Sequence, residues 1–244
     1  MSPPVRHVLI TGGSRGIGLS IARLFAQNTY RCTLISRSEA ALRSALDSLP
    51  APADSSSAHT CIPGDVSSAS FWQDNFGQRR GDEPVDVLVN CAGISQNRLL
   101  VREDPASIQS IVDTNLTGMM IGTRQLIKAG YLKKRKGEEE EEDFSPCIIN
   151  VASLLGLKGG RGAVAYAASK AGALGFTRAL VEETAKSGIR VNAIVPGYVS
   201  TDMTTGMLLT LPLRLRFSRS VVVRLSYAIV LLIYIQSWSH LRTS

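Results

Sequence analysis

Three side chains in this 244-residue sequence have the types and spacing needed for proton transfer at a carbonyl group. Tyr166 and Lys170 stand four apart in a helix-compatible stretch, so both project from one face. Ser153 lies thirteen residues before Tyr166, just beyond the apolar strand-like run Cys147–Val151. Tyrosine is a poor acid–base group near neutrality, because its unperturbed pKa is about 10. An adjacent ammonium favours the phenolate and draws that value toward the working range. Ser153 is then placed to hold a carbonyl oxygen by hydrogen bond while Tyr166 supplies the proton. A Tyr-x-x-x-Lys pair alone carries little weight, since most such pairs sit on helix surfaces. Its value rests on the serine before it and on a glycine cluster far upstream.

That cluster is Thr11-Gly12-Gly13-Ser14-Arg15-Gly16-Ile17-Gly18, after an apolar run at 7–10 and before Ile17, Ile21, Leu24 and Phe25, spaced as one helix face. A strand running into a glycine turn and then a helix is the arrangement that takes a dinucleotide. Glycines permit the tight turn and close backbone approach, and the helix N-terminus offers N–H groups to the pyrophosphate. A glycine cluster alone is weak evidence, but the flanking strand and amphipathic helix strengthen it. Gly12, Ser14, Arg15, Gly16, Ile17 and Gly18 are the expected cradle, and the charge of an oxidised nicotinamide would add to that of Lys170 beside Tyr166. The next strand end selects the cofactor. An NAD site normally carries an acid about 20 residues on, whereas this stretch reads Ser36-Arg37-Ser38, with no acid before Glu39. Arg37 with Arg15 suits a 2′-phosphate, which a carboxylate would repel. The plain alternative is that both arginines are surface residues; NADP(H) is the expectation.

The elements that must position these groups recur regularly. Strand-like runs stand at 32–35, 59–62, 85–90, 147–151 and 191–195. Helix-compatible stretches lie between them at 39–49, 67–76, 105–132 and 163–187, the last closed by Gly188, and Asn28 is the expected stop of the first helix. Strands alternating with helices imply βαβ units: an α/β, Rossmann-like, doubly wound parallel sheet with helices on both faces.

Composition narrows the class. A hydrophobic fraction of 44% supports a real core and excludes wholesale disorder. Four cysteines at least 29 residues apart argue against a disulfide scaffold or zinc site, so no metal is expected. A run of 18 uncharged apolar residues is absent, which argues against an ordinary membrane span. Six residues before the first strand-like run set the expectation of no signal or transit peptide. The net charge of +7 hints at an anionic partner, yet Arg214, Arg216, Arg219, Arg224 and Arg242 supply five of those charges, in a tail from Met203 without Asp, Glu or Lys. Residues 1–202 keep only +2, so nucleic acid is not expected as a partner. The basic block 133–136, followed by an acidic block at 138–143, reads as a solvated loop, with a charged docking site as the sharper alternative.

Taken in order, these motifs resemble the short-chain dehydrogenase/reductase family, in particular its 3-oxoacyl reductase-like branch. The matching residues are Thr11-Gly12-x-x-x-Gly16-x-Gly18, Asp65-Val66, Asn90-Cys91-Ala92-Gly93, Asn115, Ser153, Tyr166-x-x-x-Lys170 and Pro196-Gly197. Cys91 stands where the family more often has Asn, a small swap expected to be tolerated. The resemblance implies that Asp65 and Val66 flank the adenine, and that Asn90, Ala92 and Gly93 belong to the cofactor cleft. It implies that Asn115 holds a water in a proton relay behind Lys170, which also binds the ribose. Pro196, Gly197, Val199 and Thr201 would line the nicotinamide. The implied activity is NADPH-dependent reduction of a 3-oxoacyl thioester. A broad carbonyl or alcohol dehydrogenase is the enzyme alternative, and an inactive nucleotide-binding protein the alternative from another class.

The resemblance covers about residues 5–207, which sets a division into a catalytic unit, 1–207, and an atypical apolar, Arg-rich tail, 208–244. Family members continue instead with a substrate-covering helix pair, another helix and a seventh strand. Three readings of the tail compete: an aberrant end replacing the true terminus, a divergent helix or strand in the missing place, and a membrane-associating segment. The fourteen residues 225–238 would make a helix of only about 21 Å, short of a ~30 Å hydrocarbon core. The substrate is expected to be a small or carrier-bound carbonyl. A family-like homo-oligomer is put in doubt by the tail, and the compartment stays open between cytoplasm and mitochondrial matrix.

Overall fold

The computed structural model describes residues 5–52, 58–78, 84–133 and 144–197, together with the backbone of 231–233. Val199, Thr201, the charge block at 134–143 and the rest of the tail lie outside the described residues.

Strand β1 (His7–Thr11) is buried along its whole length, as a central strand covered on both faces must be. Helix α1 (Gly16–Gln27) returns the chain to β2 (Arg31–Ser36), and α2 (Glu39–Asp47) leads to β3 (Thr60–Pro63). Helix α3 (Ala69–Phe76) precedes β4 (Val87–Asn90). Then come α4 (Pro105–Val112), α5 (Gly118–Lys128), β5 (Cys147–Val151), the short α6 (Leu155–Lys158), the long α7 (Val164–Thr184) and β6 (Arg190–Val195). The backbone of Leu231–Ile233 forms β7. The sheet order is β3-β2-β1-β4-β5-β6-β7. All pairings are parallel except β6 with β7, which is antiparallel. A three-residue backbone strand from the tail thus lies at the sheet edge.

Alternation along β1 divides the core. Leu9 turns toward α3, α5 and α7, joining Phe71, Trp72, Leu88, Leu126, Ile148 and Leu180. Val8 and Ile10 turn the other way, against Ala22, Leu34, Leu42 and Val89. The strand order reverses its direction between β1 and β4, and in open α/β sheets the ligand crevice lies outside the strand C-termini at that point.

One local expectation changes, and another holds with an unexpected geometry. The stretch 105–132 is not one helix: a π-helical turn, Asp113–Thr117, joins α4 to α5, and the helix ends at Lys128. Gly130 takes φ +72°, a left-handed conformation that turns Tyr131 and Leu132 into the core. At the end of α1, Asn28 is the C-cap as expected, with φ −99°, and the left-handed residue is its neighbour Thr29, φ 65°. The Asn28 side chain donates to Leu24 O at 2.8 Å, satisfying a terminal carbonyl directly.

Candidate active site

The cleft opens along the C-terminal ends of β1, β2, β4, β5 and β6 and has a volume of about 480 Å³. Its first wall is the turn from β1 into α1. Gly12 has φ +68°, and a methyl there would come within 2.8 Å of the Ala92 backbone. A methyl on Gly18 would lie 2.2 Å from Gly12 O. Only glycine lets α1 start this close to β1. No side chain caps α1, so the N–H groups of its first turn face the cleft as donors for an anion.

The second wall carries Ser36, Arg37, Ser38, Gly64, Asp65 and Val66. Burial pulls the Asp65 carboxyl upward, but two hydrogen bonds from Ser67 and the nearby Arg37 charge outweigh it and hold it below the ordinary value. Ser36 Oγ is buried without a hydrogen-bond partner. A buried hydroxyl left unmatched costs free energy, and this one lies on the cleft wall, beside Arg37. An uncapped helix N-terminus, glycines that admit close backbone approach, exposed Arg15 and Arg37, and an unmatched hydroxyl together fit a phosphorylated dinucleotide.

The far end holds the candidate chemistry. Ser153 is buried just past β5, and Tyr166 and Lys170 come from the first turns of α7. The Ser153 hydroxyl lies near enough to the Tyr166 phenol to favour its ionised form, and Lys170 Nζ lies 5.9 Å from the Tyr166 ring centre. Lys170 is 4% exposed and donates to Val151 O at 2.7 Å. Burial lowers its pKa to about 8, against a smaller upward pull from Cys91. Burial raises the Tyr166 phenol, the nearby Ser153 hydroxyl opposes this, and the Cys91 thiol adds to the rise. Without cofactor, then, the phenol is driven up and not toward neutrality, because desolvation outweighs its neighbours. Such a site keeps Tyr166 protonated.

Of the residues expected from sequence, Gly12, Ser14, Arg15, Gly16, Ile17, Gly18, Arg37, Asp65, Val66, Ala92, Gly93, Ser153, Tyr166, Lys170, Pro196 and Gly197 all line this one cleft. Asn90 lies beneath it: its amide donates to Thr123 Oγ1 at 3.0 Å and to Asn150 Oδ1 at 2.9 Å, inside the core. Asn115 is fully buried. Its Oδ1 accepts from Ile94 N at 2.8 Å, and its Nδ2 donates to Ile94 O and Ser169 Oγ. It ties the loop after β4 to α7.

Sequence reasoning missed several contributors. Thr11 Oγ1 accepts from Cys91 N at 3.0 Å and Ala92 N at 3.1 Å, shaping the β4 end of the cleft. Ile94, Thr114 and Ala152 also line it. The positions of Thr11 and Ala152 at strand ends and of Ile94 in the loop after β4 were available as a signal; the inward turn of Thr114 and the contacts across the chain were not. Among the described residues, no helix is long and apolar enough to cross a membrane.

Known proteins place this arrangement. A family model described as short chain dehydrogenase matches residues 6–210. A 3-oxoacyl-[acyl-carrier-protein] reductase of Bos taurus is 39% identical over 196 residues, covering 80% of this chain and 76% of that one. Carbonyl reductase family member 4 of Xenopus tropicalis is 37% identical over 199 residues, covering 81% and 77%. Among solved structures, an actinorhodin polyketide ketoreductase with NADPH matches with a TM-score of 0.69 at 32% identity, covering 88% of this chain and 81% of that one. The fold, the cleft and these likenesses agree: the chain belongs to the short-chain dehydrogenase/reductase family and is an oxidoreductase acting on CH–OH/C=O groups.

Proposed function

We propose that the protein reduces the ketone of a 3-oxoacyl thioester to the 3-hydroxyacyl form, as in fatty acid biosynthesis, with NADP(H) as its cofactor. The observation that carries the reading is the convergence of Ser153, Tyr166 and Lys170 at one end of a cleft whose other end presents Arg15 and Arg37. The relatives named 3-oxoacyl reductases, and the ketoreductase solved with NADPH, support it.

NADPH, when bound, supplies the hydride that reduces the carbonyl carbon. The chain's own groups do the rest. Backbone N–H groups at the start of α1 hold the pyrophosphate, and Arg15 and Arg37 take the 2′-phosphate in charge-assisted hydrogen bonds. Ser153 donates to the carbonyl oxygen and fixes its position. Tyr166 delivers its phenolic proton to that oxygen as the alcohol forms. Lys170, anchored on Val151 O, binds the ribose, and its charged form makes the phenolate left behind less costly. Asn115 supports the relay by holding the loop beside Lys170. Pro196 and Gly197 bound the nicotinamide end, with Val199 and Thr201 assigned to the same task.

The test compares kcat/KM for an acetoacetyl thioester with that for a simple ketone of similar size, both with NADPH. A clear preference for the thioester is expected. Equal values favour the broad carbonyl reductase, and NADPH binding without turnover of either favours the inactive nucleotide binder.

A further inference from the structure

The helix that carries Tyr166 and Lys170 begins without a cap of its own. The residue at its N-cap is Ala163, which has no side-chain acceptor. The first N–H groups of a helix have no intrahelical partner, and Ala165 is buried, so water does not readily serve it. The acceptor comes from the loop after β4. Gln96 Oε1 accepts from Ala165 N at 2.7 Å and from Tyr166 N at 3.3 Å, across about 70 residues of sequence. Gln96 Nε2 donates to Arg98 O at 3.1 Å, which fixes the amide with its oxygen toward the helix. The side chain is 2% exposed.

The next turn is tied down as well. Tyr166 O accepts from Ser169 Oγ at 2.7 Å, and Ser169 Oγ accepts from Asn115 Nδ2 at 3.1 Å. Both peptide groups of Tyr166 are therefore restrained: the N–H by Gln96, the carbonyl by the Ser169–Asn115 pair. Gln96 belongs to the loop that Asn115 clamps at Ile94. Ile94 itself lines the cleft.

We propose that Gln96 is a positioning residue for catalysis: as a long-range cap it sets the first turn of α7 and with it the reach of the Tyr166 hydroxyl toward Ser153. This rests on the reading of Tyr166 as proton donor. Gln96 is not among the residues that line the cleft, so its effect falls on the chemical step. Small displacements of a reacting group are costly to rate, whereas the phosphate contacts assigned to the β1–α1 turn and Arg37 lie away from Gln96 and hold most of the cofactor's charge.

The full-length protein is assayed for NADPH oxidation with an acetoacetyl thioester as Gln96→Leu, Gln96→Glu and Tyr166→Phe. Gln96→Leu, close in size but unable to accept, is expected to lower kcat on the order of tenfold. The KM for NADPH should stay within about twofold, because no cofactor contact is lost. Gln96→Glu keeps an oxygen for the same two N–H groups but sets its second oxygen, an acceptor, against Arg98 O, so its kcat should lie between those of the parent and the leucine variant. If the leucine variant does not fold, Gln96→Asn, whose acceptor falls one methylene short, should show the same fall in kcat. An unchanged kcat in the leucine or asparagine variant, or a glutamate variant no more active than the leucine one, overturns the proposal. Turnover lost in Tyr166→Phe but intact in Gln96→Leu removes the Gln96 role alone; turnover surviving in Tyr166→Phe removes the donor assignment and the Gln96 role with it.

Discussion

Tyr166 and Lys170 share a buried environment that acts on them in opposite directions: it keeps the phenol protonated and weakens the ammonium. That suits reduction, in which the tyrosine must start with its proton. Lys170 also links the site to pH. Its pKa falls to about 8 in the folded chain, below the ~10.4 of an unfolded lysine. The unfolded chain therefore binds more protons between these values, and this group's cost to stability is full below about 8 and relieved as pH rises toward ~10.4. A bound anionic cofactor favours the charged ammonium, so NADPH binding near pH 8 should be accompanied by proton uptake. Calorimetry in buffers of different ionisation enthalpy measures this; Lys170→Met should remove it, and binding without proton exchange in the parent protein contradicts the linkage.

At the scale of elements, the site depends on how closely helices approach strands and one another. Gly18 lets α1 meet the β1 turn, and Gly122 lets α5 meet α3, where a methyl would come 2.4 Å from the Trp72 ring. The two positions separate function from stability. Gly18→Ala, forced against Gly12 O, should weaken NADPH binding at least tenfold, since the anion cradle itself moves. Gly122→Ala should cost about 1–3 kcal/mol of stability through overpacking while leaving NADPH affinity unchanged, as denaturant unfolding and nicotinamide fluorescence would register. The sequence patterns announced these elements well where period and punctuation were strong: β1, the glycine turn, and α7 ending before Gly188. They were less informative where tertiary contacts decided the matter. The π-helical turn at Asp113–Thr117 interrupts a continuous helical pattern to turn Asn115 inward, which no local propensity encodes. The same holds for Gln96, whose significance lies in an α7 roughly 70 residues away. Asn90, expected at the floor of the cleft, lies beneath it, its amide nitrogen donating to Thr123 and Asn150, a core pairing that the motif alone does not reveal.

For the molecule as a whole, one continuous sheet brings together groups separated by more than 150 residues of sequence, from Gly12 to Lys170. Arg15 and Arg37 line the same cleft as Ser153, Tyr166 and Lys170, and on the proposed reading loss of the Tyr166 hydroxyl removes turnover while leaving the phosphate contacts in place. The central claim is that this chain reduces a carbonyl with NADPH through Tyr166. The most direct measurement is NADPH oxidation by the full chain with an acetoacetyl thioester, set beside NADPH binding, in the parent protein and in Tyr166→Phe. Turnover in the parent, its loss in the phenylalanine variant and equal cofactor affinity in both are the expected result; substantial turnover remaining in Tyr166→Phe would contradict the account.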